Sequence, residues 1–143
     1  MGNTASLNKV GIMPQRYYKV VNVEKGAYVS AMVRNPGVRL TYAVDQVTHA
    51  DPKMLKIGLG ICAFDDLEEA QYFTKYCTGN MVVFLAEGIL AEKQSVMRLR
   101  TDILRGVYNL DDMERFIAIH GREGWPLGTV LLSEIKLIRM VVA

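Results

Sequence analysis

An α+β fold is predicted for this chain of 143 residues, with one curled, mainly antiparallel sheet of about six strands and two main helices. Residues 16–44 are rich in Val and Tyr and are divided by turn signals, which is typical of short strands. Two segments, 65–78 and 109–120, repeat apolar residues at helical spacing behind an Asp or Asn that can cap a helix. Residues 129–143 alternate again and indicate one long closing strand or two short ones.

The first three strands are predicted to form a meander. They cover residues 16–24, 27–33 and 38–44. The connection at 25–26 is a Lys-Gly turn, and the connection at 34–37 contains Asn-Pro-Gly, in which Pro fixes φ and Gly accepts a positive φ. Because strands joined by tight turns usually lie side by side, we expect the three to be neighbours in the sheet.

The middle of the chain is predicted to be a loop followed by a buried strand. Residues 45–54 contain an Asp-Pro pair that favours a turn, and they show no clear period. Residues 56–64 form a short apolar run that fits a buried strand. Gly58 and Gly60 interrupt this run, which predicts that another backbone approaches closely there.

The first main helix is expected to begin at Asp65, which can cap it together with Glu68 three residues later. It is expected to end before Gly79, the predicted left-handed residue. One face carries the residues expected to pack on the sheet, which are Leu67, Ala70, Phe73 and Cys77. Residues 81–88 form the next strand, so the order fits either a crossover unit or a helix packed across an antiparallel sheet.

The composition fits a single folded domain over residues 16–143, preceded by a flexible N-terminal arm over residues 1–15. Half of all residues are hydrophobic and 22% are charged, which excludes a disordered chain. The net charge of +2 excludes a strongly basic nucleic-acid module and an acidic tail protein. We therefore expect no nucleic-acid partner, and Arg98, Arg100 and Arg105 fit a solvated or partner-facing edge.

The sequence predicts a reducing compartment, in the cytoplasm or in a virion. Cys62 and Cys77 lack the companions of a disulfide-rich secreted scaffold, and the N-terminus lacks the apolar core of a signal peptide. No run reaches the roughly 18 apolar residues that a transmembrane helix needs. Residues 1–6 match the N-myristoylation pattern M-G-x-x-x-[ST], so Gly2 is a lipidation candidate that would give weak membrane contact. The alternative is an unmodified arm.

Each candidate chemical site has a structural explanation that we favour. Residues 58–60 spell G-x-G but lack the third glycine of a dinucleotide-binding loop. Four potential zinc ligands lack the spacing of a structural zinc site, and we expect them to pack in the core: His49, His120, Cys62 and Cys77. Two acidic pairs stand at predicted helix starts, where capping explains them: Asp65-Asp66 and Asp111-Asp112. We therefore expect no metal and no cofactor.

A series of landmarks runs through residues 16–87 and ends in a Val-rich strand at 129–142. The landmarks are Lys19-Val20-Val21, Ser30, Tyr42, Gly58-Leu59-Gly60-Ile61, Phe64 and Glu68-Glu69-Ala70. This order resembles small uncharacterised proteins of phages and large DNA viruses, whose pattern runs K-V-V, S, Y, G-l-h-v-F and e-x-A. Where that pattern often has His, this chain has Ile61 and Cys62. The resemblance implies a viral origin.

Similar patterns of strands and helices occur in the ADP-ribosyltransferase-like fold, in which a split, curled sheet clasps NAD. Active members of that fold place a His or Arg on the first strand, a Tyr or a Ser motif on a middle strand and a Glu late in the chain. The resemblance gives those roles to Arg16, Ser30, Tyr42 and Glu134. Alternation also places Glu134 near Lys136 on one strand face, where a surface ion pair would explain both without a cofactor.

We therefore predict a non-enzymatic binding or assembly protein of viral origin, associated with the virion or with a host protein. It would act through its sheet edges and its N-terminal arm on a protein partner or on further copies of itself. The alternative is an ADP-ribosyltransferase-like enzyme or a degenerate NAD-binding protein. A deep polar cleft lined by Arg16, Ser30, Tyr42 and Glu134 would favour the alternative, and an exposed apolar patch beside a filled sheet face would favour assembly.

Overall fold

The computed structural model describes residues 13–31, 39–56, 58–76, 79–94 and 128–141. In chain order these residues form β1 (Gln15–Glu24), β2 (Ala27–Ser30), β3 (Thr41–Tyr42), β4 (Val47–His49), α1 (Pro52–Lys56), β5 (Ile61–Phe64), α2 (Leu67–Tyr76), β6 (Met81–Leu90) and β7 (Thr129–Met140). The seven described strands pair almost entirely antiparallel, and the two described helices accompany them. This content is compatible with the predicted α+β class.

The sheet is barrel-like, rather than curled as the sequence predicted. The strand order is β3-β2-β1-β5-β7-β4, and β6 pairs with both β1 and β7. Strands β1, β5, β7 and β6 therefore close into a ring. The register between β6 and β7 shifts between Leu85 and Ala86 and between Ile89 and Leu90, where β7 carries one extra residue each time, Ile138 and Ser133. These bulges bend β7 along β6, which helps the sheet to close. Closure satisfies backbone groups that β6 would expose at the edge of an open sheet.

The predicted meander is present, because β1, β2 and β3 are neighbours in that order. Lys25 and Gly26 have φ values of 51° and 80°, and two successive positive φ values are typical of the type I′ turn that suits a twisted hairpin. β2 and β3 are shorter than the strands predicted at 27–33 and 38–44. Residues 32–38, with the predicted Asn-Pro-Gly turn, lie outside the described residues.

The predicted loop at 45–54 is wrong, because it contains β4 and the start of α1. The backbone N–H of Lys53 donates a hydrogen bond of 2.9 Å to Oδ1 of Asp51, so Asp51 caps α1. Pro52 occupies the first helical position, where its fixed φ suits a helix and its missing N–H costs nothing. The Asp-Pro pair thus begins a helix instead of a turn.

The helix α2 forms as predicted, although its cap is one residue later than expected. The backbone N–H of Glu68 donates to Oδ1 of Asp66 at 2.8 Å, so Asp66 rather than Asp65 caps the helix. Ala70 and Phe73 lie on its buried face, as the spacing predicts. Gly79, which follows the helix, has the expected positive φ, at 132°.

The helix α2 crosses over β1 on its way from β5 to β6. Tyr18 of β1 pairs with Phe64 of β5 and also with Leu85 of β6, so these two strands lie on opposite edges of β1. Both run antiparallel to β1, so they are parallel to each other. The two arrangements that the sequence left open therefore coincide, because the helix connects parallel strands and also packs across an antiparallel sheet.

Two hydrophobic clusters form the core. The first fills the interior of the ring and takes buried residues from each ring strand, among them Tyr17, Val21, Ile61, Ala63, Phe84, Ala86, Leu132, Ile135 and Leu137. The second joins α2 to the outer face of the ring, with Val20, Ala31, Phe64, Ala70, Phe73 and Val83. The rings of Phe64 and Phe73 lie 5.6 Å apart between their centroids, and this contact ties the helix to β5.

Several predicted elements fall outside the described residues. They are the strand at 95–100, the second main helix at 109–120 and most of the arm at 1–15, of which the described chain begins at residue 13. The closing strand is present, and β7 runs unbroken over twelve residues. Its alternation is as predicted, with Ile135 and Leu137 buried and Glu134 and Lys136 on the other side.

We expect Tyr17→Phe to make the protein less sensitive to alkaline pH. Burial, with a contribution from the negative charge of Asp65, raises the pKa of Tyr17 above its ordinary value of 10.0. A pKa raised by folding gives stability that is present below the unfolded-state pKa and is lost as pH rises through the folded-state pKa. The free energy of unfolding, measured with urea between neutral pH and strongly alkaline pH, should therefore fall less steeply above about pH 10 in Tyr17→Phe. An equal fall for the wild type and Tyr17→Phe would contradict the prediction.

Candidate functional site

A cleft splits the sheet between β2 and β5. β6 pairs with one edge of β1 continuously from Gln15 to Asn22. On the other edge, β5 pairs with β1 at Tyr18 and β2 pairs with it from Val21 onward. Lys19 therefore lies where neither strand pairs with that edge. The strands β2 and β5 diverge from this point, and the gap between them forms a cavity of about 50 Å³.

The walls of the cleft are largely aliphatic, with a few polar groups among them. The aliphatic residues come from β5, from the approaches to β3 and β5, and from α1 and the chain before it: Leu40, Ala50, Met54, Leu59 and Ile61. The polar side chains are those of Lys19, Ser30, Tyr42 and Asp51. This mixture of an apolar wall with a small number of polar groups is typical of small-molecule sites.

Lys19 is the central residue of this cleft, and it is only 4% exposed. Its Nζ donates a hydrogen bond of 2.5 Å to the carbonyl oxygen of Cys62 and lies 5.2 Å from the centre of the Tyr42 ring, a cation–π distance. No carboxylate forms an ion pair with Lys19 within the described part of the chain. The site thus holds a buried ammonium group that contacts the carbonyl oxygen of Cys62 and the face of the Tyr42 ring.

The strand alternation explains why Lys19 points inward. Residues two apart on a strand share a face, so Lys19 lies on the side of β1 that carries Tyr17 and Val21 into the ring. This lysine was not among the predicted site residues. The available signal was its position between two inward-facing residues, because a lysine at such a position has to find a buried partner.

Ser30 and Tyr42 line the same cleft, but the fold already uses the Ser30 hydroxyl. Ser30 Oγ accepts a hydrogen bond of 3.0 Å from the N–H of Leu40 and lies 3.4 Å from the carbonyl oxygen of Leu40. Tyr42 pairs across the sheet with Tyr28 and is 4% exposed. Both residues therefore hold the β2–β3 side of the cleft in place.

The other two residues of the predicted enzymatic set lie elsewhere. Arg16 is exposed on β1, opposite Glu87 of β6. Glu134 is opposite His49, whose Nδ1 is 4.0 Å from Oε1 of Glu134. The expected pair of Glu134 with Lys136 is not the one that forms, because Lys136 Nζ lies 3.8 Å from Oε1 of Glu87 on the neighbouring strand. Arg16 and Glu134 do not line the cleft that contains Ser30 and Tyr42.

The remaining candidates are divided between described and undescribed residues. Cys62 is buried, as predicted, whereas the His49 side chain is 66% exposed, so the prediction that His49 packs in the core is wrong. In the described ranges, no group of three or more His, Cys, Asp or Glu side chains is arranged to hold a metal ion. Four other predicted features lie outside the described residues: Gly2, Cys77, His120 and the Asp111-Asp112 pair.

The close approach predicted at the glycines is confirmed at Gly60. A Cβ atom on Gly60 would lie 2.6 Å from the backbone oxygen of Leu132 on β7. The G-x-G sequence at 58–60 therefore lets β7 lie against the start of β5. Gly58, with a φ of 80°, provides the turn before it.

An open sheet edge is a second feature with functional potential. Among the strands of the described residues, the sheet path ends at β3 and at β4. The N–H of Ala50 donates a hydrogen bond to the carbonyl oxygen of Ser133 on β7. Backbone groups alternate in direction along an antiparallel strand, so those of Thr48 also face β7. The backbone groups of Val47 and His49 therefore face away from β7. Val47 is 48% exposed and Val44 is 39% exposed. Apolar residues therefore lie beside backbone groups that can pair with another strand.

Neither described helix has the length and apolar character needed to span a membrane. Comparisons of the chain with models of protein families, with curated proteins and with solved structures find no match.

Proposed function

We propose that this chain is a non-enzymatic binding protein whose ligand enters the cleft beside Lys19. The observation that supports this most directly is the buried ammonium group with no carboxylate partner among the described residues. Burying a charge costs several kcal/mol unless an opposite charge and hydrogen bonds offset it. If the side chain at this position only had to fill the space between β2 and β5, Met or Leu would be sufficient. A lysine that faces a cavity is better explained by a ligand that completes its charge pairing.

Binding is favoured over group transfer because two of the other polar side chains of the cleft support the fold, and the third, Tyr42, faces Lys19 with its ring. Ser30 holds the Leu40 backbone, and Asp51 caps α1. Lys19 remains as the group that can recognise a ligand. Acid–base catalysis would need a second titratable group aimed at the same point, together with a reacting atom within hydrogen-bond reach of both.

The proposal is tested by NMR titration of the ¹⁵N-labelled protein with a panel of small anions, neutral molecules and cations. Anions are expected to shift the amide signals of Leu40, Tyr42 and Gly60, which line the cleft. Lys19→Met, which keeps the approximate volume without the charge, should lose these shifts. Lys53→Met, at an exposed lysine of α1, should keep them. If anions shift only signals remote from the cleft, or no signals, the proposed binding function is wrong.

The ADP-ribosyltransferase-like alternative requires the four predicted site residues to lie close enough together to contact one NAD molecule. Only Ser30 and Tyr42 of the four predicted residues line the cleft. We therefore expect calorimetry to detect no heat of binding for NAD at millimolar concentration, and Glu134→Gln to leave the fold unchanged. NAD binding that Glu134→Gln or Tyr42→Ala weakens would contradict the binding proposal and support the enzyme.

Assembly through the edge of β4 is a second candidate function, favoured by the exposed Val44 and Val47 beside backbone groups that pair with no other described strand. The partner proposed is a second copy of this chain, in keeping with the predicted self-association. Viral origin, and a place in the virion or in a host cell, remain proposals that follow from the resemblance.

We expect light scattering after gel filtration to give a mass above that of the monomer for the wild type, and the monomer mass for Val47→Lys. A charge at this edge opposes strand pairing, because it would have to be desolvated there. Thr41→Lys is the matched control, since Thr41 is an exposed residue of β3 at the other end of the sheet path. A wild-type protein that is monomeric at high concentration would exclude this second candidate.

A further inference from the structure

We infer that the ligand of the Lys19 cleft carries one carboxylate group on a compact apolar body, such as a short aliphatic carboxylic acid. This inference rests on the proposed function, because it names the ligand class of the same cleft. Three features support it: the donor capacity of the ammonium group, the charge balance of the cleft and the composition of its walls.

The ammonium group of Lys19 has hydrogen-bonding capacity left for an anion. An ammonium group carries three N–H donors. Lys19 gives one hydrogen bond to the carbonyl oxygen of Cys62, and the face of Tyr42 lies nearby at 5.2 Å. A carboxylate oxygen in the adjacent cavity would accept one of the remaining donors and would offset the buried charge at short range, where the surroundings are largely apolar.

The charge balance favours a carboxylate over a phosphate. Lys19 carries the only cationic side chain among the described residues that line the cleft. The carboxylate of Asp51 also lines it, but this side chain is exposed and accepts a hydrogen bond from the N–H of Lys53 at the start of α1. Phosphate sites usually combine several donors, from an Arg fork or from successive backbone N–H groups, because a phosphate carries more charge and more acceptor oxygens. The single positive charge of Lys19 offsets one negative charge, which matches a monoanion better than a dianion.

The walls favour an apolar body behind the carboxylate. Five of the eleven residues that line the cleft are aliphatic: Leu40, Ala50, Met54, Leu59 and Ile61. The cavity volume of about 50 Å³ has room for a group of a few heavy atoms, which is the size of a carboxylate with a short chain. Each methylene that reaches this wall is removed from water, so affinity should rise with chain length until the cleft is full.

The test titrates the labelled protein with formate, acetate, butyrate, inorganic phosphate and the neutral analogue butyramide, at constant pH and ionic strength. The amide shifts of Leu40, Tyr42 and Gly60 should give a dissociation constant that falls about four-fold for each buried methylene between acetate and butyrate. Butyramide should bind at least ten-fold more weakly than butyrate. Phosphate should give no saturable shift at these residues.

Two variants keep the test independent of any single substitution. Lys19→Met should lose butyrate binding, and Ala50→Leu, which narrows the cavity but keeps the lysine, should lose it as well. Lys53→Met should bind as the wild type does.

If phosphate binds at the cleft more tightly than butyrate, the ligand class is wrong while the proposed function stands. If butyramide binds as well as butyrate, the carboxylate is not what Lys19 recognises, and if no probe shifts the cleft signals, both proposals are wrong.

Discussion

Phe84→Ala is expected to lower the free energy of unfolding by about 3 to 5 kcal/mol, the usual cost of truncating a fully buried aromatic residue. Phe84 is 2% exposed and lies in the interior of the ring, on the strand that closes it. Its ring packs edge-on against Tyr28 of β2, with the centroids 5.0 Å apart. The substitution would remove this contact and leave a cavity beside β1, β2 and β6 that the closed sheet cannot collapse to fill.

Urea unfolding at neutral pH, followed by circular dichroism, measures the effect. Met140→Ala is the matched control, because Met140 pairs with Phe84 across β6 and β7 but is 43% exposed. The control should cost less than about 1 kcal/mol. Equal losses for the two variants would mean that the ring interior is not packed as described.

Gly60→Ala is expected to destabilise the protein by about 3 kcal/mol, at the upper end of the range for overpacking. The added Cβ would meet the backbone oxygen of Leu132 at 2.6 Å and its backbone nitrogen at 3.2 Å. A side chain could rotate away from such a contact, but Leu132 is fully buried and its backbone is held between β5 and β6. The strain must therefore be relieved by moving β5 away from β7.

Gly26→Ala separates this effect from the general cost of replacing a glycine. Gly26 has a φ of 80°, and a Cβ there would have no atom within 4 Å. Its replacement should cost about 1 kcal/mol, from the left-handed backbone conformation alone. A loss for Gly60→Ala no larger than that for Gly26→Ala would contradict the close approach of β5 and β7.

The elements that depend on local chemistry could be predicted from the sequence. The hairpin at Lys25 and Gly26, the helix α2 with its Ala70 and Phe73 face, and the alternation of β7 each follow from spacing or turn residues within a short stretch. The helix α1 could also have been predicted, because Asp51 and Pro52 are a favoured start for a helix. Asp-Pro also favours a turn, and a helix of only five residues is too short to show a clear apolar period, so the sequence predicts a turn there.

Ring closure and the cleft could not be predicted in the same way, because they depend on which distant strands pair. The sequence predicts a strand at residues 81–88, but nothing within these residues shows that β6 pairs with both β1 and β7. The cleft follows from the same pairings, since Lys19 meets the Cys62 carbonyl only where β5 and β2 diverge along one edge of β1. Of the four residues suggested by resemblance, Ser30 and Tyr42 reach this place.

The closure of the ring by β6 also bears on the order in which the molecule folds. The hairpin of β1 and β2 and the helix α2 need only contacts between near neighbours in sequence, which form quickly. The pairing of β1 with β6, and of β5 with β7, joins segments separated by about half the length of the chain, so loop-closure entropy opposes it until late. The cleft requires β5 to be seated against β1, so it is complete only after these late steps. A ligand bound there would accordingly slow unfolding and leave the folding rate nearly unchanged.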